Sequence, residues 1–109
     1  MASETSITLP SGRQVVLLDV IRGMPEQTDS WFFRFLDPTL GPNVDFGALE
    51  PDMQALCEDV ALSQIGKDVA RVTIALLDRE VPFGTAAPGA VQVFEAYSVD
   101  GQNCEWEPF

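Results

Sequence analysis

The feature that most constrains how this chain folds is one amphipathic stripe set among strand-like runs. Met53, Leu56, Cys57, Val60 and Ala61 recur at the spacing of a single apolar helix face. Gln54, Glu58 and Asp59 fall largely off that face. The spacing predicts a helix from about Glu50 to Gln64. Pro51 then stands in the first turn, where a missing N–H matters least. Asp52 meets the positive end of the helix dipole, and Gly66 supplies the stop.

A lone stripe must be buried against something, and the rest of the chain offers strands. Ser6 to Leu9, Gln14 to Ile21 and Ser30 to Leu36 read as strands one to three, with Pro10-Ser11-Gly12 turning between the first two. Gly23 to Asp29 and Asp37 to Asn43 read as loops. Val69 to Leu77 reads as the fourth strand. Val91 to Val99 and Cys104 to Glu107 read as a closing hairpin around Asp100-Gly101. Strands with one helix predict an α+β fold: a single antiparallel sheet of about five or six strands with one main helix packed on one face. There is no internal repeat and no linker between two apolar halves. Residues 1–109 are expected to form one domain, with 1–4 as a short flexible lead.

Charge narrows the partners. Seventeen Asp and Glu face six Lys and Arg, for a net charge of −11. No basic footprint for nucleic acid exists, and an anionic membrane surface would repel the chain. No apolar run approaches the ~18 residues of a membrane span, and no signal peptide is visible. With no histidine, the commonest neutral-pH base and zinc ligand is missing, as is the histidine-dependent serine triad. No cofactor or metal site is expected. Another protein is the expected partner, with no nucleic acid and no membrane insertion.

Two cysteines stand far apart, Cys57 on the helix stripe and Cys104 on the last strand. A two-residue loop at Asp100-Gly101 and a four-residue loop ending at Asn103 both put Cys104 and Trp106 on the sheet face of Tyr97 and Val99, because a register change of two keeps sidedness. If the helix covers that face, the sulfurs can meet, and a bridge would contribute roughly 4 kcal/mol. The alternative is two buried, reduced thiols acting as small hydrophobes.

The runs Pro10-Ser11-Gly12, Trp31-Phe32-Phe33-Arg34-Phe35-Leu36, Val44-Asp45-Phe46, Asp52-Met53-Gln54-Ala55-Leu56-Cys57, Asp78-Arg79-Glu80-Val81-Pro82-Phe83-Gly84, Phe94-Glu95-Ala96-Tyr97 and Cys104-Glu105-Trp106-Glu107-Pro108-Phe109 together resemble a family of small exported bacterial proteins of unknown function. The resemblance runs nearly the length of the chain. It carries no catalytic residues with it. It implies a periplasmic or secreted location, with the cytoplasm as the alternative, and so favours a Cys57–Cys104 bridge.

Three groups of residues are candidates for function. Asp19, Arg34 and Glu95 form a candidate polar cluster, with Arg34 pairing Glu95 across the sheet or anchoring an anion beside aromatic rings. Trp31, Phe83, Trp106 and Phe109 form a candidate apolar patch, set against the plainer reading that they close the core. Asp45, Glu50 and Asp52 precede the helix and read as caps, while Glu58-Asp59 reads as a solvated helix face. The loop from Glu80 to Ala90 is long enough to invite a functional role. The leading expectation is a non-enzymatic interaction module of the bacterial envelope. The rivals are a small carboxylate-dependent enzyme and an acidic inhibitor or immunity-type protein covering a basic partner.

Overall fold

The computed structural model describes residues 6–23, 26–83 and 89–107. Six strands form one sheet: β1 (Ser6–Thr8), β2 (Gln14–Ile21), β3 (Ser30–Leu36), β4 (Arg71–Leu77), β5 (Gln92–Asp100) and β6 (Asn103–Glu107). The helix α1 (Phe46–Ala55) runs without a break into a π-helical segment, Leu56–Ala61. The expected lead at 1–4 lies outside the described residues, as do Phe109, Pro25 and, within the long loop, Gly84 and Pro88.

The strands lie side by side in sequence order, β1 to β6. Every neighbouring pair is antiparallel except β3 and β4, which run parallel from Ser30↔Arg71 to Leu36↔Leu77. The sheet is therefore mixed, which corrects the all-antiparallel expectation. The cause is the connection. The long segment between Leu36 and Arg71 holds the helix, and a crossover of this kind returns the chain to the end from which it started.

The helix starts four residues before its expected first residue. Asp45, in extended conformation, caps it by accepting a hydrogen bond from the Gly47 N–H at 3.0 Å. Pro51 consequently stands inside the helix and not in its first turn, so one backbone hydrogen bond is forgone. The α-helix gives way at Leu56 to wider turns, shown by the Leu62 N–H bonding the Cys57 carbonyl five residues back at 3.0 Å.

Residue pairing divides the sheet into two faces. Phe33, Phe35, Val72, Ile74, Leu76, Val93 and Tyr97 belong to one core cluster, which also holds Leu49, Met53, Leu56, Cys57 and Ala61 of the helical segment. The alternate residues Ala75 and Leu77 belong to a second, smaller cluster with Val81. The inner face thus shares its core with the helix, and the outer face is covered in part by the loop after β4. That loop is cinched at its neck: the Asp78 N–H donates to the Val91 carbonyl and the Asp78 carboxylate accepts from the Val91 N–H, each at 3.0 Å. The Asp78 carboxyl, largely buried, is held below the usual carboxylate range, chiefly by the Arg79 guanidinium.

The terminal hairpin takes the second of the two expected registers, Val99↔Cys104, extended by one further pair, Asp100↔Asn103. This leaves Gly101-Gln102 as the turn. Gly101 has φ +64° at the first central position, as a type II′ turn demands.

Candidate functional site

The polar residues that sequence reasoning grouped together separate on folding. Asp19 pairs with Arg34 across β2 and β3, next to a register shift between Leu17 and Asp19 that re-aims the strand locally. The contact is bidentate: Arg34 Nε donates to one Asp19 oxygen at 2.7 Å and Nη2 to the other at 2.6 Å. Arg34 Nη1 donates to the Val81 carbonyl at 2.6 Å. The guanidinium is 5% exposed and its pKa is raised, first by the hydrogen bonds to Asp19.

Glu95 is not part of this constellation. Arg34 is level with Ala75 and Phe94, whereas Glu95 is level with Ile74, so the two side chains lie on opposite faces of the sheet. The expected Arg34–Glu95 pair is therefore replaced by Arg34–Asp19, and Glu95 instead accepts a hydrogen bond from the Trp106 indole N–H. Strand alternation decides this, and it was invisible until the register of β3 and β4 was known.

The aromatic patch also divides. Trp31, Val72, Tyr97 and Trp106 stand level with one another across four strands of the inner face. Trp31 and Trp106 end that row, with two strands between them and the Arg22 guanidinium 5.7 Å above the Trp31 ring. Phe83 belongs to the outer face. It meets Phe32 edge-on at a centroid distance of 5.2 Å, and the Arg34 guanidinium lies 5.6 Å from its ring. Phe109 lies outside the described residues. Two exposed rings were missed: Phe94 on the outer face, 41% exposed, and Phe46 in the first turn of α1. Strict alternation along Gln92–Asp100, which sets Phe94 opposite Val93 and Glu95, was the signal that would have found Phe94.

Two buried carboxylates escaped sequence reading as well. Asp52 does not serve the helix dipole. It is 1% exposed and accepts from the Ser11 N–H at 3.0 Å and the Ser11 hydroxyl at 2.5 Å, tying the β1–β2 turn to the helix. Asp37, fully buried, accepts from Arg13 Nη1 at 2.8 Å and from the Thr39 N–H and hydroxyl at 3.0 and 2.6 Å. Glu58 is likewise no idle solvated residue. Its carboxylate accepts from the Cys104 N–H at 3.1 Å, while the Gln54 amide donates to the Cys104 carbonyl.

The cysteines are bridged, Cys57 to Cys104, with Cα atoms 6.2 Å apart. Both are buried. One residue of the π-helical segment thus fixes the edge strand covalently, and its neighbours grip the same point of backbone.

The candidate site is the outer face of the sheet around Arg34. Leu18, Asp19, Arg34, Glu80, Val81 and Phe83 line an open depression of about 480 Å³ there. Arg34 and Asp19 are spent on each other, and the Phe83 ring stands exposed beside them. Among the described residues no group of three or more acidic or cysteine side chains is placed to hold a metal ion, and no helix is long and apolar enough to cross a membrane. Neither a curated protein nor a solved structure matches the chain. A family model does match, across residues 1–109, and the chain belongs to that family, DUF6497, a family of unknown function.

Proposed function

We propose that this chain is a non-catalytic protein-binding module, one domain over residues 1–109, which works in an oxidising compartment outside the cytoplasm and offers its outer sheet face to another protein. One observation carries the reading: Phe83 and Phe94 stand 38% and 41% exposed on that face, around an arginine whose hydrogen bonds are already used. Exposed rings gathered on one face are the usual material of a binding hot spot. A guanidinium locked to a carboxylate and a carbonyl serves here as a rigid floor for the rings.

The bridge supports the compartment, since a buried disulfide persists where thiols are not kept reduced. The core shared by the helix and the inner-face residues supports a helix lying across that face, which leaves the outer face for a partner.

The test is site-specific photo-crosslinking in cells. A photoreactive residue at position 94 or 83 should capture one defined protein, and the same residue at the exposed position 63 should not. Equal labelling at all three positions, or none at 94 and 83, would refute the proposal.

A further inference from the structure

The opposite face of the sheet holds a second exposed ring, in a different chemical setting. Trp106 on β6 is 53% exposed. Its indole N–H donates to Glu95 on β5, which fixes the ring against the strand. A carboxylate at the N–H edge also makes the indole π-face more electron-rich. Glu58 of the helical segment reaches the same strand, accepting from the Cys104 N–H two residues before Trp106 at 3.1 Å, so β6 has two carboxylates along this stretch.

None of these carboxylates is in an ion pair among the described residues. The arginines are engaged elsewhere: Arg13 with Asp37, Arg34 with Asp19, Arg71 with Glu107, Arg79 with Asp78, and Arg22 over Trp31. The contrast within the row is informative. Trp31, at one end, carries its own guanidinium. Trp106, at the other end, carries none among the described residues, yet it has the Glu95 carboxylate at its edge.

We infer that Trp106, with Glu95 at its N–H edge, forms a receptor for an arginine or lysine side chain of a basic partner. The cation lies over the indole face and within reach of the Glu95 carboxylate. The net charge of −11 draws such a partner in from a distance. This site is separate from Phe83 and Phe94, and its success or failure leaves the outer-face reading untouched.

The experiment is a titration of the isotope-labelled chain with a short blocked peptide carrying two arginines, beside its glutamine counterpart. Trp31→Phe assigns the two indole N–H resonances. The arginine peptide should move the Trp106 indole resonance saturably, more weakly at high salt, and the glutamine peptide should not. Trp106→Ala leaves every charge in place and should weaken binding about threefold to tenfold. Trp106→Phe, which keeps a ring on the same strand, should retain part of the affinity, and Glu95→Gln should lose some while still accepting the indole N–H. An arginine peptide that binds Trp106→Ala as tightly as the unaltered chain, or that leaves the Trp106 resonance unmoved, overturns the inference.

Discussion

Arg34 and Asp19 are unequal partners, and the inequality sets what each substitution does. The Arg34 side chain is 6% exposed and that of Asp19 39%. Removing the carboxylate with Asp19→Ala strands a buried cation, whereas replacing Arg34 with Met leaves a carboxylate that can rehydrate and puts an apolar stem under Phe83. Asp19→Ala is expected to destabilise the fold by about 2–3 kcal/mol, discounted from a fully buried pair for the solvent at Asp19, and Arg34→Met by clearly less. Urea denaturation of both variants checks the order. Tyr97, the single tyrosine, offers a second reading at this scale. Burial, and then the charges of Glu95, Glu50 and Glu58, push its phenol well above the ordinary value. The folded chain holds that proton more tightly than the unfolded chain does. The resulting stability is complete below the ordinary phenol value of about 10 and is lost as pH rises through the folded-state value. Ultraviolet titration should show no tyrosinate while the chain stays folded, with the signal appearing together with alkaline unfolding.

At the scale of elements, the bridge between the π-helical segment and β6 closes a sequence separation of 47 residues. The chain-entropy model gives such a loop about 4 kcal/mol. The double variant Cys57→Ala/Cys104→Ala is expected to melt about 15–30 °C lower, which a thermal scan measures. Gln54 and Glu58 occupy the outward-facing N–H and C=O of Cys104, so part of the β6 edge is closed to strand addition. The opposite edge, β1, is only three residues long. Elements were also the most legible level of the sequence. Gln14–Ile21 and Ser30–Leu36 follow directly from runs of β-branched and aromatic residues between turn signals. The helix start was misplaced because Pro51 is the louder local signal, while Asp45 caps through a single hydrogen bond that composition does not advertise.

At the scale of the whole molecule, what could not be read was what depends on long-range pairing. The parallel join of β3 and β4 depends on the path of the intervening segment, and no local pattern records it. The burial of Asp37 and Asp52 depends on Arg13 and Ser11, 24 and 41 residues away. The separation of Arg34 from Glu95 follows from that same join, since register decides which face each residue takes. The cysteine pair was within reach because sidedness survives a two-residue slip, and that was the quantity the argument needed. One further consequence lies in how the crossover segment is fastened. Asp52 ties it to the turn beside β1, and Cys57 ties it to β6. A strut anchored at both rims of a bendable layer behaves as a bowstring: the layer cannot flatten without drawing against it. The sheet accordingly meets any visitor with its curvature already set, and little of the encounter's free energy goes into reshaping it.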